Sequence, residues 1–181
     1  MNKKILMTLA VALMMVTGTA KAETAQGGDF AFFLSNVFGN NSFLGGNPVT
    51  GMGGGEGSSL QPTYNIGYMV TDNLMPYGGF SQQNWGGGTA TMLRGGARFY
   101  LADRGDVRLF ADGELFIFMN SADNSDSIGL LGNAGVEYNF NRNFSIAGRV
   151  GLALTSNDDG VNGGNSQVTL GAADVVLGFY F

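Results

Sequence analysis

The stretch Phe144-Ser145-Ile146-Ala147-Gly148-Arg149-Val150-Gly151-Leu152-Ala153-Leu154-Thr155 alternates without a break. Phe144, Ile146, Val150, Leu152 and Leu154 share one side with Gly148, and Ser145, Ala147, Arg149, Gly151, Ala153 and Thr155 take the other. Successive side chains of a strand point to opposite faces, so a period of two describes a strand with one greasy and one polar face. A helix would place its apolar residues three and four apart, and no such stripe occurs after residue 28.

The same phase recurs on both sides of this stretch. Ile128, Leu130, Ala134, Val136, Tyr138 and Phe140 oppose Asn133, Glu137 and Asn139. Leu93, Ala97, Phe99 and Leu101 oppose Arg94, Arg98 and Tyr100, and Val175, Leu177, Phe179 and Phe181 oppose Asp174 and Tyr180. Eight runs follow: Phe30–Phe38, Leu60–Val70, Leu74–Gln82, Ala90–Leu101, Val107–Met119, Ile128–Phe140, Phe144–Thr155 and Gln167–Phe181. Most reach the ~9–11 residues of a tilted membrane strand.

Short breaks (Thr71-Asp72-Asn73, Asp103–Asp106, Asn141-Arg142-Asn143) alternate with longer ones (roughly Asn40–Ser59, Asn84–Thr89, Asn120–Ser127, Asn157–Asn165). Short turns at one end and larger loops at the other are the signature of a closed antiparallel transmembrane up-and-down barrel. The expected fold is therefore all-β, with eight antiparallel strands.

Three runs fit this scheme badly. Phe30-Ala31-Phe32-Phe33-Leu34 is apolar on both faces, so its phase is open. The even phase of 107–119 places Phe110, Phe116 and Phe118 beside Asp112 and Glu114, which points to a bulge in that strand. Pro76 removes a ladder hydrogen bond close to the turn at Asp72-Asn73.

Residues 1–22 read as an export signal. Asn2-Lys3-Lys4 is the basic start, Ile5–Val16 the short apolar stretch, and Ala20-Lys21-Ala22 the cleavage site, with cleavage expected between Ala22 and Glu23. Residues 23–181 are then one barrel domain. If that domain sits in lipid it must close on itself, because lipid cannot satisfy an open strand edge.

All three lysines precede residue 23, so the domain has six arginines against 14 acids and a charge of −8. That balance excludes a nucleic-acid partner, which needs a basic face. Cysteine and histidine are both absent. Disulfides, thiolate metal sites and a Ser/His triad are thereby excluded, and neither an enzyme nor a cofactor is expected.

Which face points inward decides the environment. The apolar faces are nearly uninterrupted and lysine, the common solubilising residue, is missing after cleavage. Tyr68, Phe99, Tyr138, Phe140, Phe144, Phe179 and Phe181 all lie beside tight turns or the C-terminus, as an interfacial aromatic girdle requires. Grease outside is the expected arrangement.

The polar faces then bring Arg94, Arg98, Arg108 and Arg149 into the lumen with Asp112, Glu114, Glu137 and Asp174. An eight-stranded barrel is just wide enough for side chains to fill. Charges confined there must pair, and the arginine fork suits carboxylates. An ion-pair network closing the lumen is expected; a gated ion path is the alternative. Asp123, Asp126, Asp158 and Asp159 in the loops are oxygen donors of a kind calcium accepts. They lack the spacing of a calcium loop and read as solvated acids. The glycine runs at 53–57 and 86–88 lack the lysine and helix of a phosphate loop.

The hairpin Gly67–Tyr77 and the terminal Val175-Val176-Leu177-Gly178-Phe179-Tyr180-Phe181 make the chain resemble the small eight-stranded outer-membrane barrels of the OmpA-barrel and OmpX type. The resemblance implies a Gram-negative outer-membrane location. It also implies contact with outer-membrane lipid and recognition of Phe179 and Phe181 by the assembly machinery. It departs from the usual terminal signal in placing Gly178 next to Phe179. The expected role is structural or surface-interacting, as a monomer whose loops meet an extracellular ligand of unknown identity. A narrow porin-like channel and a soluble ligand-binding barrel are the alternatives.

Overall fold

The computed structural model describes residues 24–35, 63–85, 88–121, 125–158 and 165–181. The expected export signal, the Ala22/Glu23 cleavage site and the 40–59 loop lie outside the described residues. Eight strands follow in chain order: β1 (Phe30–Ser35), β2 (Thr63–Tyr68), β3 (Leu74–Trp85), β4 (Gly88–Arg104), β5 (Val107–Asn120), β6 (Ser125–Asn141), β7 (Phe144–Asp158) and β8 (Asn165–Tyr180). Each pairs antiparallel with the next, and β8 returns to β1 through Ala31↔Tyr180 to Ser35↔Val176, which closes the barrel.

The three tight connections fall at one end. Thr71 donates its hydroxyl to Asn73 at 2.7 Å in the first, and Gly105 takes the left-handed φ of 72° in the second. The far end differs from expectation. Strand pairing runs on through Trp85↔Gly88, Asn120↔Ser125 and Asn157↔Asn165, so those breaks are shorter than the sequence suggests. Asn, Gln, Ser and Thr carry no apolar face to mark a strand, yet their backbone groups still gain from the ladder.

Polarity is reversed relative to a soluble barrel. Ile66 (66% exposed), Leu101 (69%) and Val150 (58%) stand outside, whereas Glu137 (0%), Arg108 (2%) and Arg98 (3%) are inside. In β1 the phase resolves with Ala31, Phe33 and Ser35 buried and Phe30 exposed.

The expected bulge in β5 does not occur. Phe110 and Phe116 are buried inside, paired across to Gly135 and Gly129 on β6. Those glycines leave the room: a Cβ on Gly135 would lie 2.4 Å from Phe110 Cζ, and one on Gly129 2.3 Å from Phe116 Cζ. The extra residues sit instead at Leu101, Phe140 and Gly171. The β2–β3 ladder ends at Gly67↔Tyr77, one residue short of Pro76, so no partner on that side asks for the missing N–H.

Aromatic rings cross the outer wall in a connected seam. Tyr138, Phe140, Phe144, Phe179, Phe32, Tyr64 and Phe80 follow one another with centroids 5.0–6.4 Å apart. Phe144 belongs to the outer face but is covered by Phe140 and Phe179, each 5.3 Å away. The seam crosses β1 and β2, of which six residues each are described. Aromatic pairs are worth ~0.5–1.5 kcal/mol beyond their burial.

Candidate functional site: the charged lumen

Inward positions of β4 to β8 deliver the charges, two from β4, two from β5 and one from each of the others. Arg94 and Arg98 come from β4, Asp112 and Glu114 from β5, Glu137 from β6, Arg149 from β7 and Asp174 from β8. These seven interlock. Arg149 reaches Asp112 at 3.2 Å and Asp174 at 2.9 Å, and also contacts Glu114. Arg94 pairs with Glu114 at 3.1 Å. Arg98 bridges Asp112 at 3.3 Å and Glu137 at 3.0 Å.

Glu137 takes two further donors, Tyr180 Oη at 2.6 Å and Tyr100 Oη at 3.1 Å. Asn133 donates to Asp112 at 2.6 Å and to Glu114 at 3.2 Å. Arg98 also packs its guanidinium 3.8 Å from the Phe110 ring centroid, a cation–π contact that lines the cluster with apolar surface. Each carboxylate of the seven has at least one arginine, the condition under which buried ions persist.

Arg108 departs from the expected network. It is buried inside but, among the described residues, its one ion pair is with Asp103, at 3.5 Å, and its other donors serve main-chain carbonyls at the turn end. Its Cα pairs directly across from Glu137 on β6, but its side chain turns toward the Ala25 and Asp72 carbonyls rather than into the cluster.

Several partners escape a reading by charge alone. Asn65 and Ser35 both accept from Arg94, Asn65 at 2.7 Å. Tyr77 lines the same space, and Asn133 completes the acids. The period-two phase does place Tyr77 and Asn133 inward; what a single strand cannot show is which neighbours meet across the lumen. The space left beside Arg94, Arg98 and Arg149 is a cavity of about 10 Å³, room for roughly one water molecule.

Of the acids expected in loops, Asp126 and Asp158 are instead cross-strand partners at the ends of β6 and β7, with Asp126 exposed, while Asp123 and Asp159 lie outside the described residues.

A closed barrel with ionised groups along its axis and aliphatic side chains on its exterior is a transmembrane β-barrel, since only lipid rewards that exterior. Two solved structures are similar to the chain. One is the N-terminal β-barrel domain of Pseudomonas aeruginosa OprF, 16% identical, with 88% of this chain and 100% of that chain covered at a TM-score of 0.45. The other is outer membrane protein AlkL, determined by solid-state NMR in DMPC lipid bilayers, 13% identical, with 91% and 95% covered and a TM-score of 0.45. No family model matches the chain, and no curated protein sequence matches it.

Proposed function

We propose that this protein is an integral outer-membrane barrel of a Gram-negative bacterium with a structural or surface-interacting role. Its lumen is closed by the ion-pair cluster. The observation that carries this reading is the reversed polarity of the wall: Ile66, Leu101, Leu130 and Val150 exposed on the outside, Arg98, Asp112, Glu114, Glu137 and Arg149 buried within. In water that exterior would drive aggregation; in a bilayer it is the solvation surface.

Phe179 and the terminal Phe181 fit a role as the assembly signal. Phe179 joins the aromatic seam, and Phe181 is exposed while its backbone exchanges two hydrogen bonds with Phe30, at 2.9 and 3.0 Å. The protein acts as a monomer, held by outer-membrane lipid, with its loop end turned outward and its tight turns in the periplasm.

Gel migration before and after boiling tests the reading. A barrel that keeps its fold in detergent migrates differently until it is boiled; a single unshifted band overturns it. Single-channel recording separates this role from transport, since a closed lumen yields no steady openings and a narrow channel does. Release into the soluble fraction without detergent would establish the soluble ligand-binding barrel instead.

A further inference from the structure

We infer that residues 24–29 form a built-in floor that seals the turn end of the barrel, a second barrier in series with the ion-pair cluster, and that Arg108 is the side chain that holds it in place. Terminal segments are ordinarily loose unless tied down. This one is tied at every step. Ala25 is 1% exposed and belongs to the same buried cluster as Met69, Met75 and Tyr180. The segment closes on itself: Gln26 N donates to Asp29 Oδ2 at 2.9 Å, and Asp29 N donates to the Gln26 carbonyl at 3.1 Å.

The segment is also fastened to the turns around it. Gly28, at a φ of 101° that side chains rarely adopt, donates its N–H to the Met69 carbonyl at 2.7 Å, and Met69 N donates back to the Asp29 carbonyl at 2.8 Å. Gly27 N donates to Asp72 Oδ1 at 2.8 Å in the first tight turn. Arg142 in the third tight turn pairs with Asp29 at 3.3 Å.

Arg108 supplies the inner hold. A buried guanidinium ordinarily spends its donors on carboxylates. This one donates Nη1 to the Ala25 carbonyl at 3.3 Å and Nη2 to the Asp72 carbonyl, while its flat face lies 3.5 Å from the Tyr100 ring centroid. It therefore clamps the segment and the first turn together across the mouth, which is why its donors do not join the cluster although Glu137 is its cross-strand partner.

The chain's lack of cysteine allows a direct test. Met75→Cys places a single thiol beneath the floor, where Met75 is 0% exposed. The mature chain carrying it is refolded in detergent and treated with a charged maleimide. With the floor intact the thiol reacts slowly. Deleting residues 24–28, which removes no strand residue, or replacing Arg108→Met speeds labelling by about tenfold or more through loss of local protection. Equal rates in the intact and deleted chains overturn the inference. Hydrogen exchange in the unaltered protein tests it without any variant: protected amides at Gly28 and Met69 support the floor, and free exchange at both in a folded barrel overturns it.

Discussion

Replacing Glu137→Ala probes the turn-end edge of the ion-pair cluster. The carboxylate is 0% exposed and accepts from Arg98 at 3.0 Å, Tyr100 at 3.1 Å and Tyr180 at 2.6 Å. Its removal orphans one guanidinium donor and two phenols in a buried site. A buried group left without its partner costs about 1–3 kcal/mol, more when charged. Two features temper the sum. The phenols remain 3.0 Å from each other and can bond, and Arg98 keeps Asp112 at 3.3 Å, an acid it shares with Arg149. The expected cost is therefore about 3–5 kcal/mol, the range for breaking a buried ion pair from one side. Reversible urea unfolding from lipid vesicles measures it. The double replacement Arg98→Met with Glu137→Leu removes both charges and recovers much of the loss. A cost below about 1 kcal/mol for Glu137→Ala, or a double variant as costly as the two single losses added, refutes the idea that pairing sustains these charges.

Three further outcomes follow from the same geometry. Leu152→Arg, on the outer face, costs ~2–4 kcal/mol in vesicles if that face meets the bilayer interior, and an unchanged unfolding free energy removes the lipid-facing orientation. Gly135→Ala is destabilising by ~1–3 kcal/mol through overpacking, because its Cβ would stand 2.4 Å from Phe110 Cζ and 2.6 Å from the Gly148 carbonyl, whereas Gly148→Ala, which meets nothing within 4 Å, is near neutral; urea midpoints that rank the two the other way contradict the inward and outward assignment. Deleting Phe181 leaves refolding in detergent intact but lowers the heat-modifiable population in cell envelopes, and equal envelope levels of the two chains discard the assembly role.

The strands of the second half were legible because each repeats one strict contrast. Ile146, Val150 and Leu152 against Ala147, Arg149 and Ala153 leaves a single phase, and the structure follows it. The first strand was not legible, because Phe32 and Phe33 are equally apolar and only the neighbours decide which turns inward. Phe33 does so beside Gly67 on β2 and Gly178 on β8, a fact written far from it in the chain. The site was legible as a set of charges but not as a set of contacts. Arg108 shares strand and phase with Asp112 and Glu114, so sequence periodicity groups them; the direction its side chain takes, down to the Ala25 and Asp72 carbonyls, separates them.

The lumen also accounts for glycines that composition alone would assign to flexible loops. An eight-stranded barrel offers only enough width for side chains to fill it. This one nevertheless contains arginines, phenylalanines and tyrosines at mid-height. Cross-strand pairing shows how they fit. Glu114 faces Gly96, Arg94 faces Gly79, Arg149 faces Gly135, Asn133 faces Gly151 and Tyr77 faces Gly67. A Cβ on Gly151 would sit 2.0 Å from Asn133 Oδ1, and one on Gly96 would sit 2.4 Å from the Gly113 carbonyl. Glu114 thus leans over Gly96, Asn133 over Gly151, Phe110 over Gly135 and Phe116 over Gly129, neighbours that have no side chain. Ion pairing and glycine placement are one device: the glycines supply the volume, the arginines and carboxylates consume it, and the pocket beside Arg94, Arg98 and Arg149 has room for about one water. On the proposed reading of a closed lumen, a solute would have to displace the cluster itself, and closure would reside in packing as much as in charge.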